Sequence, residues 1–153
     1  MPRLVSASSV LLLVLACLVL GSGSASAKPH EEMTQEHATK LAHDCQAETG
    51  ASDEDVEQLM KHEKAESHEA KCLRACVLKK FEILDDAGKL SKKHTVEMIK
   101  AMTEHEEEKA EVVEEVAEHC EAIEVPEDHC DAAETYQNCI YEQLKEHGID
   151  LKH

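Results

Sequence analysis

The chain has no tryptophan, one phenylalanine and two tyrosines among its 153 residues. Carbohydrate platforms and base-stacking surfaces rely on exposed rings, so neither is expected, and any interior must be mainly aliphatic. Proline and glycine are scarce, at three and five, which leaves little to interrupt helices. The single asparagine, Asn138, is followed by Cys139-Ile140, so there is no glycosylation sequon. Nucleophile elbows, phosphate-cradling glycine loops and an H-E-x-x-H pair are all missing, and no catalytic residue, cofactor or metal site is expected. Basic residues are outnumbered, 16 against 33 acidic. A surface of that sign repels nucleic acid and anionic membranes and keeps a concentrated protein dispersed.

What is present begins with an apolar leader. Arg3 precedes an apolar run from Val10 to Leu20, and Ala25-Ser26-Ala27 supplies an A-x-A cleavage pattern. A membrane span needs about 20 apolar residues, so residues 1–27 are expected to be a signal peptide that is removed, with 28–153 as one soluble, secreted domain without stable membrane insertion. Removal takes one basic residue, leaving 15 against 33 acids, a formal charge of −18. It also takes Cys17, so the seven cysteines become six, at 45, 72, 76, 120, 130 and 139. An even count in a short secreted chain reads as a disulfide framework, with fifteen pairings open to it. Zinc on Cys72-x3-Cys76 is the rival reading, disfavoured by secretion and by the lack of a C-x2-C pair.

Glu, Lys, Ala and Leu dominate the remainder, and no segment shows an alternating period, so the fold class expected is all-α with six helices. The first helix is expected over Thr34 to Glu48 and the second over Asp53 to Lys61, capped by Ser52 with Asp55. The third, Glu66 to Phe81, carries Ala70, Leu73, Val77 and Phe81 as one stripe. Asp85-Asp86-Ala87-Gly88 lacks the register of a calcium loop and reads as a plain turn. Ser91 opens the fourth helix, with Thr95, Met98, Ile99 and Met102 inward. Thr103 with Glu106 has the form of a capping box for the fifth, whose stripe is Val112, Val113, Val116 and Cys120. After Pro126 the sixth runs from Glu127 to Glu146.

Cysteine positions constrain the packing further. Cys72 and Cys76 differ by about 40° around the third helix, whereas Cys130 and Cys139 differ by about 180° around the sixth, so the sixth helix should be clamped between two neighbours. Bridges worth about 2 to 4 kcal/mol each let a helical array keep an apolar cavity instead of collapsing. Period alone nominates its lining as Leu59, Met60, Leu73, Val77, Phe81, Leu84, Met98, Ile99, Met102, Val113, Val116 and Ile140. Tyr136 is a candidate hydroxyl for a polar ligand head. Past Gly148, Ile149 and Leu151 are expected to cover the cavity mouth. The eleven histidines lack metal-ligand spacing, His105 and His119 included, and are read as scattered solvent-facing groups.

Six cysteines with three residues between the second and third and eight between the fifth and sixth, on helices behind a leader, resemble the insect odorant-binding proteins. The likeness covers essentially the whole chain after residue 27. The segments KPHEE, AETGASDEDVEQLM, HEAKCLRACV, AIEVPEDHCDAAE and IYEQLKEHG are similar to those of a fly pheromone-binding protein-related member. The resemblance implies the pairing Cys45 with Cys76, Cys72 with Cys130 and Cys120 with Cys139. It also implies non-covalent carriage of small apolar odorants or pheromones through sensory lymph, contact with a chemosensory receptor, and a monomer or weak homodimer. A ligand burying roughly a dozen methylenes gains about 10 kcal/mol gross, enough for micromolar binding after ordering costs. Many pockets in that family hold several aromatic rings; with one Phe and two Tyr this one is expected to favour aliphatic chains. The alternative is an acidic helical protein with a filled interior that acts by contacting a receptor or a protease.

Overall fold

The computed structural model describes residues 34–103 and 107–151. Within them lie six α-helices: α1 Gln35–Thr49, α2 Asp53–Met60, α3 His68–Lys80, α4 Lys92–Met102, α5 Ala110–Glu121 and α6 His129–Glu146. No strand occurs among the described residues; Leu84 and Leu90 form one isolated bridge across the α3–α4 turn. That turn is plain, as expected: the Asp85 carboxylate accepts from the main-chain N–H groups of Ala87 and Lys89, both at 2.9 Å. Gly88 closes it at φ 75°, against His129, where an added Cβ would lie 2.6 Å from the ring. No described helix is long and apolar enough to cross a membrane.

Helix starts follow from side-chain acceptors that satisfy first-turn N–H groups. Thr34, Ser67 and Ser91 each accept from the residue three positions on, and Asp128 accepts from Cys130 and Asp131. Ser52 and Asp55 form the full reciprocal capping box. The box expected of Thr103 with Glu106 falls partly outside the described residues. Thr103 ends α4, its hydroxyl donating 2.8 Å to the carbonyl of Ile99, and Glu106 lies outside the described residues. α5 instead follows a single 3-10 turn at Glu107–Lys109 and begins without a side-chain cap.

Three helices end in Schellman motifs, in which a left-handed residue folds two N–H groups back onto the last turn. At α6 these are Gly148 onto Lys145 (3.0 Å) and Ile149 onto Leu144 (2.9 Å). At α2, His62 bonds to Leu59 (3.1 Å) and Glu63 to Gln58 (2.9 Å); at α3, Glu82 bonds to Lys79 (3.0 Å) and Ile83 to Leu78 (2.9 Å). The left-handed positions there are His62 and Glu82, each at φ 58°, at a cost of about 1 to 2 kcal/mol that glycine would avoid.

Three disulfides join the helices: Cys45–Cys76 ties α1 to α3, Cys72–Cys130 ties α3 to α6, and Cys120–Cys139 ties α5 to α6. α6 is therefore held from two sides. The interior divides into a large cluster around Ile99, Val116, Tyr136, Ile140 and Leu144, and a smaller one around Ala42, Cys45, Leu59, Leu73 and Val77. Phe81 packs against both.

A candidate ligand cavity between the helices

A cavity of about 270 Å³ lies where the two clusters meet. α1 contributes Ala38, with Thr34 and Gln35 at its start; α2 contributes Leu59 and Met60, followed by His62. Val77, Leu78 and Phe81 of α3 and Ile83 just after it form another wall, facing Met98, Ala101 and Met102 of α4. Gln137 and Tyr141 of α6 close the ring. Schellman ends set two of these side chains: the turn at Glu82 brings Ile83 inward, and the turn at His62 places that imidazole at the wall.

Of the fifteen residues nominated from the sequence, Leu59, Met60, Val77, Phe81, Met98 and Met102 line the cavity. The other nine are not among its wall residues. Leu73 fills the smaller cluster between α1 and α3, while Leu84, Ile99, Val113, Val116, Tyr136, Ile140 and Ile149 belong to the larger one and Leu151 packs against it. The physical reason is that a stripe of period 3.6 marks the inward face without telling which neighbour it meets. Val113 and Val116 illustrate this, because α5 packs on α4 and α6 and supplies no wall residue. Tyr136 is 1% exposed inside the large cluster and offers no hydroxyl to the cavity. Ile149 is seated by the end of α6 through its N–H bond to Leu144, and His119 is exposed whereas His105 lies outside the described residues.

The polar wall residues were not foreseen. Gln137 and Tyr141 stand one turn apart on α6, on the stripe beside Tyr136 and Ile140, and that i, i+4 spacing of two hydrogen-bonding side chains was the available sign. Gln137 Nε2 donates to the Tyr141 hydroxyl at 2.8 Å, and His62 Nδ1 lies 3.3 Å from the same oxygen. The two rings meet edge to face with centroids 5.5 Å apart. Burial pushes the Tyr141 phenol up to about 12, against the smaller opposing effects of Arg74 and of the bond from Gln137, so the hydroxyl is neutral at physiological pH.

Behind Gln137 lies Arg74, 1% exposed. Its Nη1 donates to Gln137 Oε1 at 3.0 Å and its Nη2 to the carbonyl of Glu63. Glu134 sits 3.7 Å from Nη1 and accepts from the Ala65 N–H and the Asn138 amide, each at 3.2 Å. Burial lowers the guanidinium from its ordinary value, and Glu134 opposes that shift. The wall offers aliphatic and thioether groups, the Phe81 ring, and hydrogen-bonding groups at Thr34, Gln35, His62, Gln137 and Tyr141.

A disulfide-linked helical array around a mainly apolar cavity is the architecture of a small-ligand container. The chain belongs to the PBP/GOBP family, whose model matches residues 27–143. It is 57% identical over 152 residues to general odorant-binding protein 19d of Drosophila melanogaster, covering 99% of each chain, and 36% identical to general odorant-binding protein 28a of the same fly, covering 90% of this chain and 96% of that one. The solved structure of the Drosophila odorant-binding protein dmelOBP28a superposes with a TM-score of 0.73 at 36% identity, over 80% of this chain and all of that one. The fatty acid binding protein OBP56a from the oral disk of the blowfly Phormia regina shares the fold at 19% identity, with a TM-score of 0.59 over 73% of this chain and 92% of that one.

Proposed function

We propose that the chain is a secreted carrier that takes small aliphatic odorants or pheromones into the cavity between α1, α2, α3, α4 and α6 and moves them, without covalent chemistry, through sensory lymph. The observation that carries this reading is the cavity of about 270 Å³, walled by Met60, Met98, Met102, Val77 and Phe81. Cavities for small molecules run to about 300 Å³ and above, so this one suits a compact ligand. Three thioethers and one phenyl ring make a wall that adapts to a chain more readily than it stacks on a ring. The leader, with cleavage after Ala27, delivers a chain of six cysteines to an oxidising exterior. The charge of −18 keeps the carrier monomeric or weakly dimeric, and a chemosensory receptor is the protein partner in this reading.

The rival, a filled interior acting through protein contact, has no use for an apolar cavity. Uptake of N-phenyl-1-naphthylamine by purified residues 28–153, read as a blue-shifted rise in emission, separates the two. A carrier binds the probe saturably and releases it when octane is added. Absence of uptake would refute the carrier.

A further inference from the structure

The cavity wall is mainly apolar; besides Thr34 and Gln35 at the start of α1, its polar members are Gln137, Tyr141 and His62, and the hydrogen bonds of that group give it a defined direction. Arginine carries only donors, so the 3.0 Å contact from Arg74 Nη1 can be made only to the oxygen of the Gln137 amide. That fixes which way the amide faces: its NH2 is turned towards Tyr141, where one proton goes to the hydroxyl oxygen at 2.8 Å. Having accepted that proton, the Tyr141 hydroxyl keeps its own to donate, and the second amide proton of Gln137 is used by neither contact. His62 Nδ1, 3.3 Å from the same oxygen, either donates to it, leaving the hydroxyl proton for a ligand, or accepts from it, leaving the Gln137 proton as the donor at this end. Without Arg74 the amide could turn over and offer its oxygen instead.

We propose that Arg74 is a positioning residue that makes this end of the cavity a hydrogen-bond donor, so that the preferred ligands are neutral aliphatic compounds ending in an acceptor oxygen: aldehydes, ketones and esters. The inference rests on the carrier reading above. A carboxylate fits less well. The Gln137 amide and the Tyr141 hydroxyl carry no charge, and the guanidinium does not line the cavity and faces Glu134 at 3.7 Å. An anion set against those two groups would lose its hydration without touching the guanidinium. A bare hydrocarbon would leave the donors unpaired on closing them off from water.

The test is displacement of N-phenyl-1-naphthylamine from residues 28–153 by octane, octanal and octanoate. Octanal is expected to bind about fivefold tighter than octane, the value of one net hydrogen bond, with octanoate weaker than octanal. In Arg74→Lys, which keeps the charge and loses the fork, the octanal-to-octane ratio should fall towards one. A purely structural role for Arg74 would weaken both ligands alike and leave that ratio unchanged, overturning the proposal. Should Arg74→Lys not fold, Tyr141→Phe and Gln137→Leu carry the same ratio test, with the same expected fall. Equal affinities for octanal and octane in the unaltered protein, or tightest binding of octanoate, would overturn the donor end while leaving the carrier intact. Failure of octane itself to displace the probe would overturn the carrier reading and this inference with it.

Discussion

The main-chain N–H of Ile149 donates to the carbonyl of Leu144 at 2.9 Å, and both side chains are buried in the same cluster, at 3% and 1% exposed. Ile149 is thus a structural clasp on α6. Ile149→Ala should cost about 2 to 4 kcal/mol in urea unfolding, as expected for an aliphatic deletion in a packed core. Deleting residues 149–153 should destabilise at least as much. The rate of probe release, measured where the truncated protein remains folded, should stay within about twofold of the full-length rate. A lid would instead speed release several-fold at unchanged stability.

The disulfides differ in what they close. Cys72–Cys130 spans 58 residues and Cys120–Cys139 spans 19. Loop-closure entropy makes the longer bridge worth about 1 kcal/mol more, so replacing Cys72 and Cys130 by Ala should lower the melting temperature further than replacing Cys120 and Cys139. Non-reducing peptide mapping of 28–153 should recover the three pairs and no free thiol. Full reduction should unfold the domain, since three bridges at about 2 to 4 kcal/mol each rival a folding free energy of about 5 to 15 kcal/mol.

Arg74 and Glu134 form a buried pair at 3.7 Å, with Arg74 Nε and Glu134 Oε2 lacking hydrogen-bond partners among the described residues. Removing either charge strands the other. Arg74→Met should cost about 3 to 5 kcal/mol, and the double variant with Glu134→Gln should cost less than the sum of the two single changes. Additive losses in denaturant titrations would show that the two charges do not interact.

Tyr141 gives the fold a dependence on alkaline pH. The folded phenol is raised from 10.0 to about 12, so between these values the folded state binds more protons than the unfolded. Its contribution is fully present below about pH 10 and is lost as pH rises towards 12. Chemical denaturation between about pH 9 and 11 should show stability falling with pH, and Tyr141→Phe should flatten that fall. An equal slope in the variant would mean that Tyr141 ionises as freely folded as unfolded.

Helix existence was legible because each element carries its own marks: short polar caps at Thr34, Ser52 and Ser91, and apolar stripes at three and four residue spacing. Thr103 shows the limit of such marks. Its hydroxyl can serve the start of one helix or the end of another, and here it bonds back to Ile99, a choice made by the packing of α4. The cavity was half legible for a related reason. Met98 and Ile99 are both inward on α4, yet Met98 faces the cavity and Ile99, 0% exposed, faces the core, a distinction set by which helix stands opposite. His62 escaped notice because its place at the wall comes from a left-handed turn that sequence announces when the residue is glycine and conceals when it is histidine.

Methionine methyl groups offer the most direct test of the central claim that the space between α1, α2, α3, α4 and α6 holds the ligand. In residues 28–153 carrying 13C-methyl methionine, the resonances of Met60, Met98 and Met102, all wall residues, should shift together and saturate at one equivalent of octanal. In a sample labelled at isoleucine and valine methyls, Ile140 and Val116, buried in the core away from the cavity, should hold their positions. Saturable binding that leaves all three methionine methyl groups unmoved would contradict the account, because the ligand would then occupy some other part of the molecule.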